Sequence, residues 1–282
     1  MIAAGPPASP ASVGDHYDEL DPLYRELWGE HVHHGLWATG RETPGQAVEA
    51  LVDRAARAMA LSPADRVCDV GCGYGAPARR LAREHGVRVT GYTLSAAQWS
   101  AADRAARGTD GLRFVHGDWL ENDLAGASFD AVLALESASH VGPKDRLLRE
   151  ARRVLRPGGR VVICAWTAAE NPRPWQVRHL LAPICEEGSL AGLATRREYV
   201  GWAREAGLEV RTREDLAPAV RRTWDVCLRR AAARLLPGRG GWSYLLNPRG
   251  RHRRFALALP RIWLAYRTGC LGYLLLAARR PR

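Results

Sequence analysis

The chain of 282 residues has six cysteines, at 68, 72, 164, 185, 227 and 270, but no CxxC pair and no histidine at ligand spacing from any of them. That argues against a cysteine-built metal centre or a disulfide framework and suits reduced, buried thiols in an intracellular protein. Every apolar run is too short to cross a bilayer. The opening residues, "MIAAGPPASPASVG", lack both a basic start and a sustained apolar stretch. Residues 1–14 are therefore expected to form a disordered tail rather than a signal peptide, and the protein is expected in the cytoplasm. No zinc-finger, helix-turn-helix or RNP-type pattern interleaves the arginines, so no nucleic-acid partner is expected. Internal repeats are absent.

What is present is a globular balance, 46% apolar and 25% charged. The net charge of +11 suits an arginine-rich protein, and equally an anionic substrate or peripheral contact with an anionic membrane. From Val67 the pattern alternates. Strands are expected at Val67–Val70, Val87–Tyr92, Leu112–His116, Phe129–Leu135, Arg160–Trp166, Leu208–Arg213 and Tyr273–Ala277. Helices are expected at Ala76–His85, Ala96–Arg107, Asp145–Leu155, Arg196–Ala206, Pro218–Leu236 and Phe255–Tyr266, with "RPGG" as a sharp turn. Apolar strands separated by helices predict an α/β fold, a doubly wound and mostly parallel sheet. Residues 15–62 read as an N-terminal helical lid and residues 63–282 as the core, with helical cap insertions at about 168–195 and 218–267.

The stretch "VCDVGCGYGAP" ends a strand in an acid and then places Gly71, Gly73 and Gly75 before a helix. Glycines let a backbone approach a ligand closely, and the helix start offers unpaired N–H groups. A dinucleotide site spaces its glycines G-x-G-x-x-G; here the third arrives one residue early, and Asp69 would repel a pyrophosphate. That acid suits a cationic or amine-bearing ligand instead.

"DVGCGYG", "VTGYTLSAAQ", "FVHGDW", "SFDAVLALESASHV" and "LRPGGRVVI" together resemble the class I S-adenosylmethionine-dependent methyltransferases. The likeness is greatest to the branch holding the tocopherol, sarcosine and sterol methyltransferases and related natural-product enzymes, and it covers about Asp15 to Arg213. It implies a seven-stranded, Rossmann-like sheet and S-adenosyl-L-methionine as cofactor. Residue by residue, it implies that Asp69, Gly71, Cys72, Gly73 and Gly75 line the methionine part. Thr93, Leu94 and Gln98 stand where many relatives place a ribose-binding acid, Asp118 matches the acid that accepts from the adenine amino group, and Trp119 lies on the adenine face or in the core. Relatives also suggest that Tyr17 touches the cofactor carboxylate and that Glu136 belongs to the same site.

In "LESASH", Glu136 and His140 are close enough in sequence to face the transferred methyl together. His140 is the expected general base, with Glu136 orienting it or stabilising positive charge. The cluster His31, His33 and His34 allows a metal, but only Glu30 is adjacent; the branch uses this segment as a metal-free lid, and no metal is expected. Tyr17, Tyr24, Trp28 and Trp37 would give that lid an aromatic wall.

Trp175, Val177, Leu180, Leu181, Ile184, Trp224, Leu228, Trp242, Tyr244, Trp263 and Tyr266 supply a large apolar inventory, which fits a bulky hydrophobic acceptor methylated on carbon or oxygen, such as a phenol, quinol, terpenoid or polyketide of secondary metabolism. Arginines at 221, 222, 229, 230, 249, 251, 253 and 254 would meet an acidic group or membrane, or be solvated faces. A cofactor-binding cyclase, isomerase or non-catalytic scaffold is the alternative.

Overall fold

The structure, a computed structural model, describes residues 1–3, 8–234 and 251–282. Trp242, Tyr244 and Arg249 lie outside these, as do the side chains of Arg251, Arg253 and Arg254. A single sheet of seven strands forms the centre, in the order β3-β2-β1-β4-β5-β7-β6. The strands are β1 (Arg66–Val70), β2 (Arg88–Thr93), β3 (Leu112–His116), β4 (Phe129–Leu135), β5 (Leu155–Ala168), β6 (Glu209–Asp215) and β7 (Leu271–Arg279). The first five run parallel, and β7 is antiparallel to both β5 and β6. Alternation along each strand sends neighbours to opposite faces. Val67, Leu133 and Val162 join one buried cluster with the helix α2 (Pro44–Met59), while Cys68, Val132 and Ile163 join another with α5 (Lys144–Val154) and α8 (Arg196–Glu205).

Local chemistry sets the element ends. Thr43 and Gln46 form a reciprocal capping box before α2, with Pro44 at the first turn. Ser95 caps α4 (Ala96–Ala106) by accepting from the Gln98 amide. Between β1 and α3 (Ala76–His85), Gly71, Gly73 and Gly75 all have positive φ, at 76°, 55° and 73°.

Three expectations are corrected. Residues 1–14 are not uniformly a tail: α1 (Pro10–Leu27) starts at Pro10 because Ser9 accepts from the Ser12 amide, and Ile2 pairs with Leu193. "RPGG" is not a free turn but an irregularity inside β5; the register jumps from Phe129↔Leu155 to Ala131↔Arg160, and Gly158 absorbs the bend at φ 81°. The helix expected over Pro218–Leu236 is interrupted at Arg221, giving α9 (Ala217–Val220) and α10 (Arg222–Arg234). The cap insertion holds α6 (Pro174–Gln176), a π-helical turn at Val177–Leu181 and α7 (Ala182–Glu187), and α11 (Arg251–Arg267) packs against it. Among the described residues, no helix is long and apolar enough to cross a membrane.

Candidate active site

The strand order reverses direction between β1 and β4, where an open parallel sheet leaves a crevice at its carboxyl edge. A cleft opens there, with about 1530 Å³ of space unfilled by atoms, its mouth included. Its floor is made by strand ends (Val70, Thr93, Leu135) and its roof by α1 and the cap, through residues such as Val13, Ile184 and Ile262. Tyr17, Gly71, Gly73, Thr93, Leu94, Gln98, Asp118, Trp119, Glu136 and His140 all line it. Asp69, Cys72 and Gly75 are not among the lining residues.

The three glycines divide by role. A Cβ on Gly71 would lie 2.3 Å from Ser137 Cβ, and one on Gly75 would lie 2.5 Å from Phe114 Cζ, so both serve packing. At Gly73 a Cβ would meet nothing within 4 Å, which leaves open backbone facing the cleft. Asp69, 1% exposed, has an Oδ2 with no hydrogen-bond partner, and burial pushes its carboxyl up to about 7. A buried acid with an unpaired oxygen near the end of β1, in the strand that leads into the glycine loop, fits a ligand bearing positive charge.

Along the same edge, Thr93 donates its hydroxyl to Gln98 Oε1 at 3.0 Å, turning the Gln98 amide group into the only donor end of that pair. Asp118 Oδ1 accepts from the Leu120 amide at 2.9 Å. Trp119 is 3% exposed, and its indole donates to Cys68 Sγ at 3.2 Å, which anchors the ring in the core behind the strands.

Glu136 and His140 line one cleft but keep separate partners. Glu136 sits at φ 65°, a strained position for a non-glycine residue. Its carboxylate accepts from the His34 amide (2.7 Å), His34 Nδ1 (2.9 Å), Trp166 Nε1 (3.0 Å) and the Tyr273 hydroxyl (2.7 Å). Burial alone would raise its pKa; the His34 imidazole and the other donors outweigh that and hold it at about 2. His34 is fixed in turn, because Trp224 Nε1 donates to its Nε2 at 2.7 Å, leaving the hydrogen on Nδ1 for Glu136. His140 instead pairs with the Tyr17 hydroxyl through Nε2 at 2.9 Å and with the Ser189 carbonyl through Nδ1 at 3.1 Å. Burial pushes it down to about 4, so it is neutral at pH 7. The expectation that Glu136 orients His140 is thus corrected: the cap, through Ser189, does so.

Several participants escaped sequence reading. Trp166, Tyr273 and Ser189 meet the site only through long-range folding, and His34, which the sequence groups with His31 and His33, leaves that cluster to bind Glu136. Lys144, the only lysine in the chain, is 2% exposed and donates to the carbonyls of Ser139 and Val141, on either side of His140. Of the other two cluster histidines, His33 lines the cleft and receives His31 Nδ1 at 3.1 Å.

Comparison with known proteins agrees with this architecture. Residues 68–163 match the methyltransferase domain family. The chain is 34% identical to the 27-O-demethylrifamycin SV methyltransferase of Amycolatopsis mediterranei (strain S699), across 97% of this chain and 98% of that protein. It is 28% identical to a probable chloroplastic tocopherol O-methyltransferase of Oryza sativa subsp. japonica, covering 98% and 80% respectively. Among solved structures, the (4+2)-cyclase SpnF superposes with a TM-score of 0.84 at 27% identity, covering 100% of this chain and 99% of that one. With its sheet order, glycine loop and whole-length relatives in agreement, the chain belongs to the class I S-adenosylmethionine-dependent methyltransferases and uses S-adenosyl-L-methionine.

Proposed function

We propose that the protein transfers the methyl group to a hydroxyl oxygen of a bulky, uncharged hydrophobic small molecule, such as a phenol, quinol or hydroxylated polyketide or terpenoid. The observation that carries the reading is a neutral imidazole lining an apolar cleft, with its basic nitrogen paired to the Tyr17 hydroxyl of the same lining. Carbon acceptors that must lose a proton would use the same base. Asp69, Gly71 and Gly73 would hold the methionine part of the cofactor, Gln98 the ribose hydroxyls and Asp118 the adenine; when bound, it supplies an electrophilic methyl on a sulfonium.

Trp28, Val32, Leu190, Trp224, Ala258 and Ile262 give the acceptor end its apolar wall. No arginine or lysine lines the cleft among the described residues, so a diphosphate or carboxylate acceptor would stay uncompensated there. The Arg222 guanidinium lies 5.0 Å from the Trp37 ring centroid and donates to the Gly40 carbonyl, which supports a structural role for that arginine. Excluding water around the reacting groups strengthens their electrostatics, and alignment supplies much of the barrier reduction.

The test is incubation with S-adenosylmethionine and a panel including 2-naphthol, a prenylated hydroquinone and 6-hydroxy-2-naphthyl phosphate, whose free hydroxyl stays open to methylation, with S-adenosylhomocysteine and methyl ether followed by mass spectrometry. Ether from the neutral phenols and none from the phosphate is expected. S-adenosylhomocysteine and methyl ether from the phosphate alone would sink the uncharged-acceptor reading. The likeness to SpnF favours a second reading, cyclisation with the cofactor bound but unconsumed; tight cofactor binding with no S-adenosylhomocysteine from any acceptor would support it.

A further inference from the structure

We propose that Tyr17 relays the acceptor's proton to His140, so that the lid helix α1 supplies a working part of the base. The inference rests on the hydroxyl-directed reading above. A carbonyl only accepts, so the 3.1 Å contact with the Ser189 oxygen puts the His140 hydrogen on Nδ1. Nε2 is then the acceptor nitrogen with a single in-plane lone pair, and the Tyr17 hydroxyl occupies it at 2.9 Å. An acceptor hydroxyl entering the cleft finds that lone pair taken. Its path to the imidazole runs through the phenol of Tyr17, a residue that lines the cleft with His140 and whose oxygen keeps a lone pair of its own.

Tyr17 is not placed to swing aside. Its ring stacks on Tyr24 with centroids 5.3 Å apart and meets His16 edge-on at 5.4 Å. Next to it, Asp18 accepts from the Ser95 hydroxyl and the Ala97 amide, and one turn on, Asp21 accepts from the Tyr74 hydroxyl at 2.6 Å. One turn earlier, a Cβ on Gly14 would lie 2.5 Å from the Leu94 carbonyl oxygen, so the helix is seated directly on the β2–α4 loop. These contacts hold Tyr17 from both sides. Burial, and then the Glu136 charge, raise its pKa well above that of a free phenol. It therefore passes a proton on rather than storing a phenolate.

The step balances. The acceptor oxygen forms its bond to the methyl carbon as the carbon–sulfur bond breaks; its proton moves to Tyr17 Oη while the Tyr17 proton moves to His140 Nε2. The products are an ether, a thioether and an imidazolium, so positive charge leaves sulfur and reappears on His140, with Glu136 unchanged as the counter-charge. Loss of the imidazolium proton to water restores the starting state.

Two measurements decide it. Nitrogen NMR of the imidazole in the S-adenosylhomocysteine-bound protein at pH 7 needs no acceptor: a protonated Nδ1 and a bare Nε2 are expected, with the Nε2 resonance displaced in Tyr17→Phe. A proton on Nε2, or a resonance indifferent to the substitution, would overturn the relay. With the fastest phenol of the panel, Tyr17→Phe should lower kcat about 100-fold while leaving the S-adenosylmethionine Kd within about twofold. The Tyr17→Phe/His140→Ala pair should be no slower than His140→Ala alone. Additive losses, or unchanged kcat with a cofactor Kd about tenfold weaker, would assign Tyr17 to the cofactor instead. Phenylalanine retains the stack on Tyr24, and an unchanged Tm checks that the lid still folds. If the wild type methylates no phenol, the proposed function fails, and the NMR result still decides whether the dyad exists.

Discussion

The glycine-loop edge and the aromatic end of the cleft each bury a carboxylate, and they treat it in opposite ways. Glu136 is surrounded by four donors and held at about 2 against the pull of burial. Asp69 has an oxygen with no partner, and the same burial pushes it up to about 7. A buried charge satisfied by the protein is part of the scaffold; one left unsatisfied lacks a partner that a ligand can bring. On the proposed reading, the difference separates a carboxylate that the fold itself satisfies from one left for the cofactor to satisfy.

Exchanging each acid for its amide gives opposite results if that comparison is right. Glu136→Gln turns amide hydrogens towards donors that need an acceptor, and should cost about 3–5 kcal/mol of stability, read from the urea midpoint at constant slope. A loss below about 1 kcal/mol would mean that the donors re-pair with one another and that the carboxylate is not the anchor. Asp69→Asn should weaken S-adenosylmethionine about tenfold to a hundredfold, or about 1.4–2.8 kcal/mol, by calorimetry. At pH 8 it should stabilise the ligand-free protein, because it removes an unpaired buried charge.

The pH dependence has opposite signs at the two sites. Asp69 has its folded pKa raised, so the folded state binds the extra proton and stability falls as pH rises from about 4 to about 7. The full shift corresponds to about 4 kcal/mol. Glu136 has its folded pKa lowered, so its contribution is present above the unfolded value and is lost as pH falls towards 2. A cationic cofactor should bind the ionised form of Asp69. Affinity should therefore rise by up to about tenfold from pH 6 to pH 8, with proton release near pH 7 in buffers of different ionisation enthalpy. A flat profile in the wild type, or the same slope in Asp69→Asn, would break the assignment.

The same contrast explains what the sequence reveals. At the glycine-loop edge, Asp69, Gly73, Thr93 and Asp118 sit on or just after strands and Gln98 in the first turn of α4, so short motifs carry them and the spacing is local. Around the base, the ligand of each group comes from far along the chain: Tyr17 is 123 residues from His140, and Tyr273 is 137 residues from Glu136. No motif spans such distances. Sequence proximity in "LESASH" suggested a Glu136–His140 pair, whereas the strained backbone at Glu136 sends the two side chains to different partners. Strand content and order class were legible because β1 to β5 are apolar runs bounded by helices; the break at Arg221 and the irregularity inside β5 depend on packing that no local pattern encodes.

The smallest expected effect on stability lies at Gly73, and it tests the comparison within a single loop. Gly71 and Gly73 both adopt left-handed φ, so a methyl group costs either about 1–2 kcal/mol in backbone strain. At Gly71 the new Cβ also falls 2.3 Å from Ser137 Cβ, and overpacking adds about 1–3 kcal/mol. At Gly73 it enters open space in the cleft. Gly73→Ala should therefore lower stability by the strain alone, keep the fold, and still lose cofactor affinity, because the methyl occupies the surface the ligand approaches. Urea unfolding and calorimetric titration of both variants separate the two costs. Should Gly73→Ala bind S-adenosylmethionine as the wild type does, the open backbone is not where the cofactor lies, and the unpaired oxygen of Asp69 would need another partner.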